Sequence, residues 1–438
     1  RHGRAEKRVY RNMRVHFIGD KGVSMRTLRT ITARLGHETS GSDLTTGGHD
    51  PNNVKGANLV VFTGAISADN PELSAARESG VPTIERSEYL AAIAASFGRV
   101  IAIAGSHGKT TATALTAAAT ACLNPTVHIG GEYAGGDGNE YFITEACEFR
   151  RSFLMLAPDV GVILNADLDH TDCYKTEAEA VEAFLAFGRR CRKLCVNGDD
   201  PRLGIDHPDK ITFGLGENCD VRAVGLCADG ENRYSFSLFC LGVNMGRLEL
   251  SLVGRHNVYN ALAAASVALG EGVSMSEIAR AFVGFKGVAR RMETLGYVRG
   301  ARVIADYAHH PPRSARSSPL SDPAQDLSSC SSRIPIRAPA TCSTNLRPVS
   351  VARTKSCFCG IRGKRKDRQV TSVDLYNAVS KIMPARYFGS YAEAENYLFG
   401  EVGENDIVVF AGAGTIYSAA ADFAKKDRSE QTTRKNAR

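Results

Sequence analysis

Seven consecutive residues, Gly105-Ser106-His107-Gly108-Lys109-Thr110-Thr111, combine glycines, a lysine and threonines in an order suited to holding phosphate. The apolar run Val100-Ile101-Ala102-Ile103-Ala104 leads into them, and the alanine-rich stretch 110–121, predicted as a helix, follows. A buried strand, a glycine turn and a helix N-terminus in that order aim backbone N–H groups at a phosphate. Lys109 would then bridge the β and γ phosphates of a nucleotide, and a threonine hydroxyl would hold Mg2+. The spacing is tighter than the usual G-x-x-x-x-G-K-[ST] loop, because Ile103 stands where its first glycine would be. The bland alternative is a chance glycine turn ahead of a helix.

Other chemically capable groups are scattered singly. Glu145 and Glu148 follow a strand predicted at 140–144, and Asp169-His170 follow one at 160–164. Taken alone, isolated acids are usually surface groups, and His170 reads equally as a satisfied loop histidine. Asn257 and Asn260 could cap a helix, while Arg290-Arg291 could be a solvated face.

The elements that must position these groups alternate between strand and helix. Val15-His16-Phe17-Ile18 runs into Gly19, then a helical stretch to Leu35, a strand at 38–42 and an acid, Asp43. Strands at 59–62 and 81–84, with a helix at 70–79 between them, complete a parallel sheet ending near Phe97. A second unit adds strands at 100–104, 140–144, 160–164, 193–196 and 211–213, then an alternating antiparallel pair at 234–239 and 246–252. A last unit opens at 302–304 and closes with Ile407-Val408-Val409-Phe410, a glycine turn and a helix. The reading is therefore an α/β protein of three domains, 13–97, 98–298 and 299–425. Met13 is taken as the natural start, 1–12 as a non-native or disordered leader, and 426–438 as a disordered tail.

Composition agrees with a multidomain globular chain. Its 438 residues are 43% hydrophobic and 23% charged, too many for one core. No apolar run reaches membrane-spanning length and no signal-peptide pattern opens the chain, so a cytoplasmic location is expected. The twelve cysteines lack metal-ligand spacing and are read mostly as buried thiols. The net charge of +7 sits largely in the tails and in 313–368, which favours an anionic small substrate over a nucleic acid.

The order of these blocks resembles that of the Mur ligase family, and within it the alanine-adding members. The family's nucleotide loop G-[ST]-H-G-K-T-T matches 105–111, Thr144-Glu145-Ala146-Cys147-Glu148 matches its T/A-E-A-x-E segment, and 165–170 resembles N-x-x-x-D-H. Residues 254–261 match G-x-H-N-x-x-N-A, 290–293 match R-R-[FLM]-E, and 305–311 resemble D-D-Y-[AG]-H-H-P. The resemblance implies ATP-dependent ligation of L-alanine to UDP-N-acetylmuramate, with ATP and Mg2+ as cofactors. It places Glu145, Thr110 and His170 on metal, Lys109 and Arg291 on phosphate, Asn257 and Asn260 near adenine, and Asp306 on the ribose or a metal-bound water. Gly105, Ser106, His107, Gly108 and Thr111 complete the nucleotide loop; Gly19, Gly22, Ser24, Asp43, His107 and His310 are expected on the other substrates. A murein peptide ligase type of recycling enzyme and an inactive nucleotide- or partner-binding homologue are the alternatives.

Two regions depart from the family pattern. The first glycine turn, Gly19-Asp20-Lys21-Gly22, sets an acid where a diphosphate is expected, with Lys21 only partly compensating, and the stretch after Asp43 lacks a helix-strand unit, leaving a sheet edge unpaired. Residues 312–365 are crowded with Ser, Arg, Pro and Cys, show no convincing strand, and would leave the closing strand 407–410 short of partners. Reading each codon from the third base of the preceding one permits T-E-I-R-A-V-L-A-A-V-R from Pro312 and F-Q-P-H-T-Y-S-R-T from Ser331. The second string is a segment of the family, so 312–365 reads as out of frame, restored within 363–366.

Overall fold

The structure is a computed structural model. It describes residues 12–130, 136–169, 173–230, 232–289, 291, 293–306, 327–331, 355–359, 372–381, 384–404, 406–412 and 415–426. The chain divides into two compact units, residues 1–286 and 287–438.

The first unit holds two sheets. β1 (Arg14–Ile18), β2 (Glu38–Ser42), β3 (Leu59–Phe62) and β4 (Thr83–Glu85) form a parallel sheet in the order β2-β1-β3-β4. In it β2 is an edge, with β1 its one strand neighbour among the described residues. The connecting helices are α1 (Val23–Arg34), α2 (Pro71–Glu78) and α3 (Arg86–Ala94). α1 buries Met25, Leu28, Ile31 and Thr32, a stripe at helical spacing. α2 starts at a proline whose missing N–H costs nothing there, and Asn70 caps it by accepting from the Glu72 and Leu73 amides. Glu72 itself is fully buried, accepting from Ser42 Oγ, Asn53 Nδ2 at 2.6 Å and the Asp50 amide at 3.2 Å. Burial would raise its pKa, but these donors hold it below the usual carboxylate range. The cluster pins α2 to β1 and β2.

The second sheet has nine strands: β5 (Arg99–Ala104), β6 (Thr126–His128), β7 (Tyr141–Ala146), β8 (Val160–Ile163), β9 (Lys193–Asn197), β10 (Lys210–Gly214), β11 (Val221–Ala228), β12 (Arg233–Cys240) and β13 (Val243–Val253). Their order is β13-β12-β11-β10-β9-β8-β5-β7-β6, parallel except for the pairings β11–β12 and β12–β13. α4 (Lys109–Ala119), α5 (Glu177–Arg190), α6 (His256–Gly270) and α7 (Met275–Gly284) complete this part. β6, β11, α5 and α7 are absent from the sequence reading. Phe97, at the end of the first sheet's stretch, packs its ring 4.8 Å from that of Phe142 on β7, within a core that spans both sheets.

The second unit carries β14 (Glu293–Val298), β15 (Ala301–Asp306), β16 (Leu327–Ser331), β17 (Lys355–Cys359), β18 (Ala385–Phe388) and β19 (Ile407–Ala411), in the order β14-β15-β19-β16-β17-β18. Only β14–β15 is antiparallel. Helices α8 (Ser372–Val379), α9 (Tyr391–Glu401) and α10 (Ile416–Phe423) belong to this unit.

Two expectations about 312–365 are corrected here. β16 and β17 both lie inside that stretch, and β19 has a parallel neighbour on each side, β15 and β16. Pairing draws on backbone donors and acceptors, which every non-proline residue carries. The six prolines of the stretch, at 312, 319, 323, 335, 339 and 348, all fall outside the two strands. The rest of 312–365 lies outside the described residues, as do 1–11 and 427–438. The cysteine expectation is also only partly met: nine described thiols are free, but only Cys191, Cys195, Cys219 and Cys357 are buried.

Candidate functional site

β5 delivers the chain into the glycine turn and α4 leads away from it, as the residue order demands. At Gly108 the backbone is left-handed, with φ of +87°, and a Cβ there would lie 2.6 Å from Asn260 Oδ1. Glycine therefore serves twice, allowing the turn and admitting Asn260 of α6 against it. Asn260 Nδ2 donates to Asn257 Oδ1 at 2.9 Å, and Asn257 Nδ2 donates to the Val253 carbonyl at 2.8 Å. Neither asparagine caps α6, so the capping alternative is set aside.

Lys109 opens α4 and folds back over its own turn. Its Nζ donates to both Glu148 carboxylate oxygens, at 2.9 and 2.7 Å, and to the carbonyls of Gly105 and Ser106. Burial alone would lower the Lys109 pKa, but the Glu148 charge outweighs it and holds the ammonium protonated. Glu148 is 1% exposed, which disposes of a solvated strand end for that residue. The sequence reading gives Glu148 no role; a second carboxylate three residues beyond Glu145 is the signal available for it. Glu145, near the end of β7, is half-buried and accepts the Gly130 amide at 2.9 Å. Thr110 is buried and Thr111 half-buried on the first turn of α4.

The segment after β8 braces the loop. Ser106 Oγ donates to the Asp167 carbonyl at 2.7 Å, and the His107 amide donates to Asn165 Oδ1 at 2.9 Å. Asn165 Nδ2 returns a bond to the His107 carbonyl at 3.1 Å, and His107 Nε2 lies 3.6 Å from Asp167. Arg202 steadies Asp167 from outside at 3.0 Å. Ser106 and His107 thus fix the shape of the turn. Asp169 is buried, while His170 lies outside the described residues.

The first glycine turn is built differently from the sequence expectation. Asp20 is buried and points back under β2, where Arg29 of α1 pairs with its Oδ2; Lys21 Nζ is 3.9 Å from the other oxygen. A Cβ on Gly41 would fall within 2.6–2.8 Å of the Asp20 side chain, so glycine on β2 makes the room. Arg29, not Lys21, is therefore the close counter-ion of Asp20. The amides of Gly19 and Asp20 both donate to the Ser42 carbonyl, while Gly22 precedes α1. Asp43 accepts the Thr45 amide at 2.9 Å and its hydroxyl at 2.7 Å; burial would raise its pKa, but these bonds and the Lys21 amide hold it low. Ser24, on the first turn of α1, bonds His128.

Two expected site residues belong to the second unit. Arg291 is half-buried with its amide donating to the Val288 carbonyl at 3.0 Å, and Asp306 is buried at the end of β15. Arg290 and His310 lie outside the described residues. Among the described residues no cluster of three His, Cys, Asp or Glu side chains has metal-binding geometry, and no helix is long and apolar enough to cross a membrane.

Fold and site together define an α/β protein organised around a phosphate-binding type of loop at the end of a central parallel strand. Residues 14–98 match the model described as Mur ligase family, catalytic domain, and 103–268 match the Mur ligase middle domain. The UDP-N-acetylmuramate–L-alanine ligase of Alkaliphilus metalliredigens is 34% identical over 93% of this chain and 96% of its own length. That of Clostridium kluyveri is 38% identical over 69% of this chain and 72% of its own. The chain belongs to the Mur ligase family. In fold it is similar to the solved UDP-N-acetylmuramate-alanine ligase of Thermotoga maritima, with a TM-score of 0.76 at 22% identity, covering 96% of this chain and 100% of that one.

Proposed function

We propose that this protein joins L-alanine to UDP-N-acetylmuramate at the expense of ATP, in the cytoplasm, as a step of peptidoglycan precursor synthesis. The observation that carries the reading is the Lys109 ammonium, held by the buried Glu148 at the head of α4 in a chain of this family. The relatives named above carry the alanine-ligase name, which favours this over the peptide-recycling alternative.

The chemistry needs an activated acyl group. A carboxylate oxygen of UDP-N-acetylmuramate attacks the γ-phosphorus of ATP, and ADP leaves. The alanine amine then attacks the acyl carbon, inorganic phosphate leaves, and the amine loses a proton to give the amide. Most of the protein's contribution is positioning and charge neutralisation. Lys109 meets the β and γ phosphates, exchanging Glu148 for phosphate oxygens, while Ser106 and His107 keep the turn in shape. Asn257 and Asn260 present α6 to the adenine side, and Gly19, Gly22, Ser24 and Asp43 receive the sugar nucleotide. By resemblance, Arg291 is assigned to phosphate and Asp306 to the ribose or a metal-bound water. The Thr110 hydroxyl and Glu145 carboxylate are oxygen donors of the kind magnesium takes alongside phosphate oxygens, with His170 assigned to a second site by resemblance. Bound there, Mg2+ supplies further neutralisation of phosphate charge.

The test is phosphate release by the purified chain with the reading frame across 312–365 restored, measured with each substrate omitted in turn. Release that requires UDP-N-acetylmuramate, ATP and L-alanine together is expected; equal release with the tripeptide L-Ala-γ-D-Glu-meso-diaminopimelate in place of alanine would move the assignment to the recycling reaction. We also propose that 312–365 is encoded out of frame. Support comes from β16, a strand with a parallel neighbour on each side whose five residues include three serines.

A further inference from the structure

A hydrogen-bonded chain runs between the two sheets of the first unit. Arg86, the first residue of α3, donates to Ser24 Oγ at 3.3 Å. Ser24 Oγ lies 3.0 Å from His128 Nε2, and His128 Nδ1 lies 3.0 Å from Thr144 Oγ1. The Thr144 hydroxyl reaches the Glu145 carbonyl at 3.1 Å. The ring therefore bridges a hydroxyl on α1 and a hydroxyl on β7. His128 is 3% exposed, and burial together with Arg86 lowers its pKa to about 3, so the ring stays neutral.

The position of this ring matters because of what adjoins it. His128 ends β6, a three-residue strand at the sheet edge, in register with Thr144 on β7. Two residues further on, the Gly130 amide donates to the Glu145 carboxylate. Any movement of β6 therefore moves a donor that orients Glu145. At its other end the ring touches the first turn of α1, directly behind the glycine turn 19–22. A buried histidine bonded to two hydroxyls could serve packing alone, but a packing role would not require its partners to adjoin both candidate substrate segments.

We infer that His128 is a positioning residue that couples occupancy of the sugar-nucleotide turn, through Ser24, to the orientation of Glu145 on the metal side. The inference rests on the functional reading above, in which those two segments serve different ligands. A ligand drawing on Ser24 reorients its hydroxyl, and the change passes through the ring to β6 and Gly130. By linkage the effect is reciprocal, so magnesium with nucleotide must alter affinity for the sugar nucleotide by the same factor.

The experiment titrates UDP-N-acetylmuramate calorimetrically into the full chain, with and without MgCl2 plus the β,γ-imido analogue of ATP. The wild-type protein is expected to bind about tenfold more tightly with them present, a usual size for such coupling. His128→Leu should bring that ratio close to one while leaving binding in their absence within about threefold of wild type. His128→Gln, whose amide both donates and accepts, should recover part of the ratio, and Thr144→Val should lose it by cutting the same chain elsewhere. Thr144→Val also decides the matter if His128→Leu does not fold. A folded His128→Leu or Thr144→Val protein with the wild-type ratio overturns the coupling, as does a wild-type protein that binds the sugar nucleotide with no ratio. Failure of the wild-type protein to bind the sugar nucleotide at all overturns the functional reading first, and the coupling with it.

Discussion

β5 and β16 occupy equivalent places in two sheets, each with a parallel neighbour on both sides. β5 reads Arg-Val-Ile-Ala-Ile-Ala, and five of its six residues are buried. β16 reads Leu-Ser-Ser-Cys-Ser. Interior parallel strands are covered on both faces and normally read as apolar runs. β5 has both what the backbone needs and what the core needs, whereas the sequence of β16 offers one leucine and one cysteine among three serines. A strand can find its place through ladder hydrogen bonds to an apolar neighbour, here β19, without a sequence able to fill the layers around it. A reading-frame error in the middle of a domain, as proposed above, would separate topology from packing in this way, because the flanking strands remain intact.

The largest effect should come from restoring the frame across 312–365. The second unit would regain apolar strand sequence at a central position, and burying one further large aliphatic side chain contributes roughly 1.5–3 kcal/mol. Several such side chains would turn a marginal unit into a stable one. The literal chain should show early proteolytic cleavage between 312 and 365 and little ligation of alanine, whereas the restored chain should resist protease and ligate. Equal resistance and equal activity in the two would establish 312–365 as a genuine segment with its own structure, and β5 and β16 would cease to differ in kind.

Lys109→Ala tests the intact side of the comparison. Loss of the cation at the phosphate turn should reduce acyl-phosphate formation about a thousandfold, measured in the frame-restored chain. Because Glu148, 1% exposed, would lose the cation that bonds both of its oxygens, the single variant also loses stability, on the order of 3 kcal/mol. The double variant Lys109→Ala/Glu148→Gln removes both charges and isolates the catalytic loss. Near-normal phosphate release by the folded double variant would remove Lys109 from the reaction.

How much of this was legible depends on how local each feature is. The strand, turn and helix from 100 to 119 lie in one continuous stretch, so their order alone reveals them. The bracing of Ser106 and His107 by Asn165 and Asp167 crosses about sixty residues of sequence, and the Ser24–His128 bond crosses 104. Neither leaves a periodic trace. Glu148 was visible as a residue but not as the partner of Lys109, since charge pairing depends on the distance between β7 and α4. β16 was invisible because pattern reading sees side chains, and its ladder is made by the backbone.

Glu145→Gln should have an intermediate effect. A neutral amide keeps an oxygen for the Gly130 amide but removes the charge, so the magnesium concentration needed for half-maximal phosphate release should rise about tenfold or more, with smaller change in alanine requirement. An unchanged magnesium titration would take Glu145 out of the site and leave only the loop itself to distinguish the two units.

The smallest effect is expected at Asp20, and there the structure and the sequence give opposite forecasts. If the carboxylate faced the sugar-nucleotide diphosphate, Asp20→Asn would relieve a repulsion and tighten binding substantially. In the structure it is turned under β2 into the space left by Gly41 and neutralised by Arg29. Its field at the turn is therefore largely cancelled, and Asp20→Asn should change UDP-N-acetylmuramate affinity by less than about threefold, or roughly 0.7 kcal/mol. Two other substitutions should matter more. Arg29→Met leaves the carboxylate buried without its counter-ion, which is strongly unfavourable, and Gly41→Ala forces a Cβ into the carboxylate and drives it back toward the turn. Both should weaken binding, and in each background a second change, Asp20→Asn, should restore much of what was lost. Titrations of the three single variants and the two doubles separate the possibilities: a large gain from Asp20→Asn alone would mean that the acid does face the ligand, and that the first glycine turn departs from its family's design.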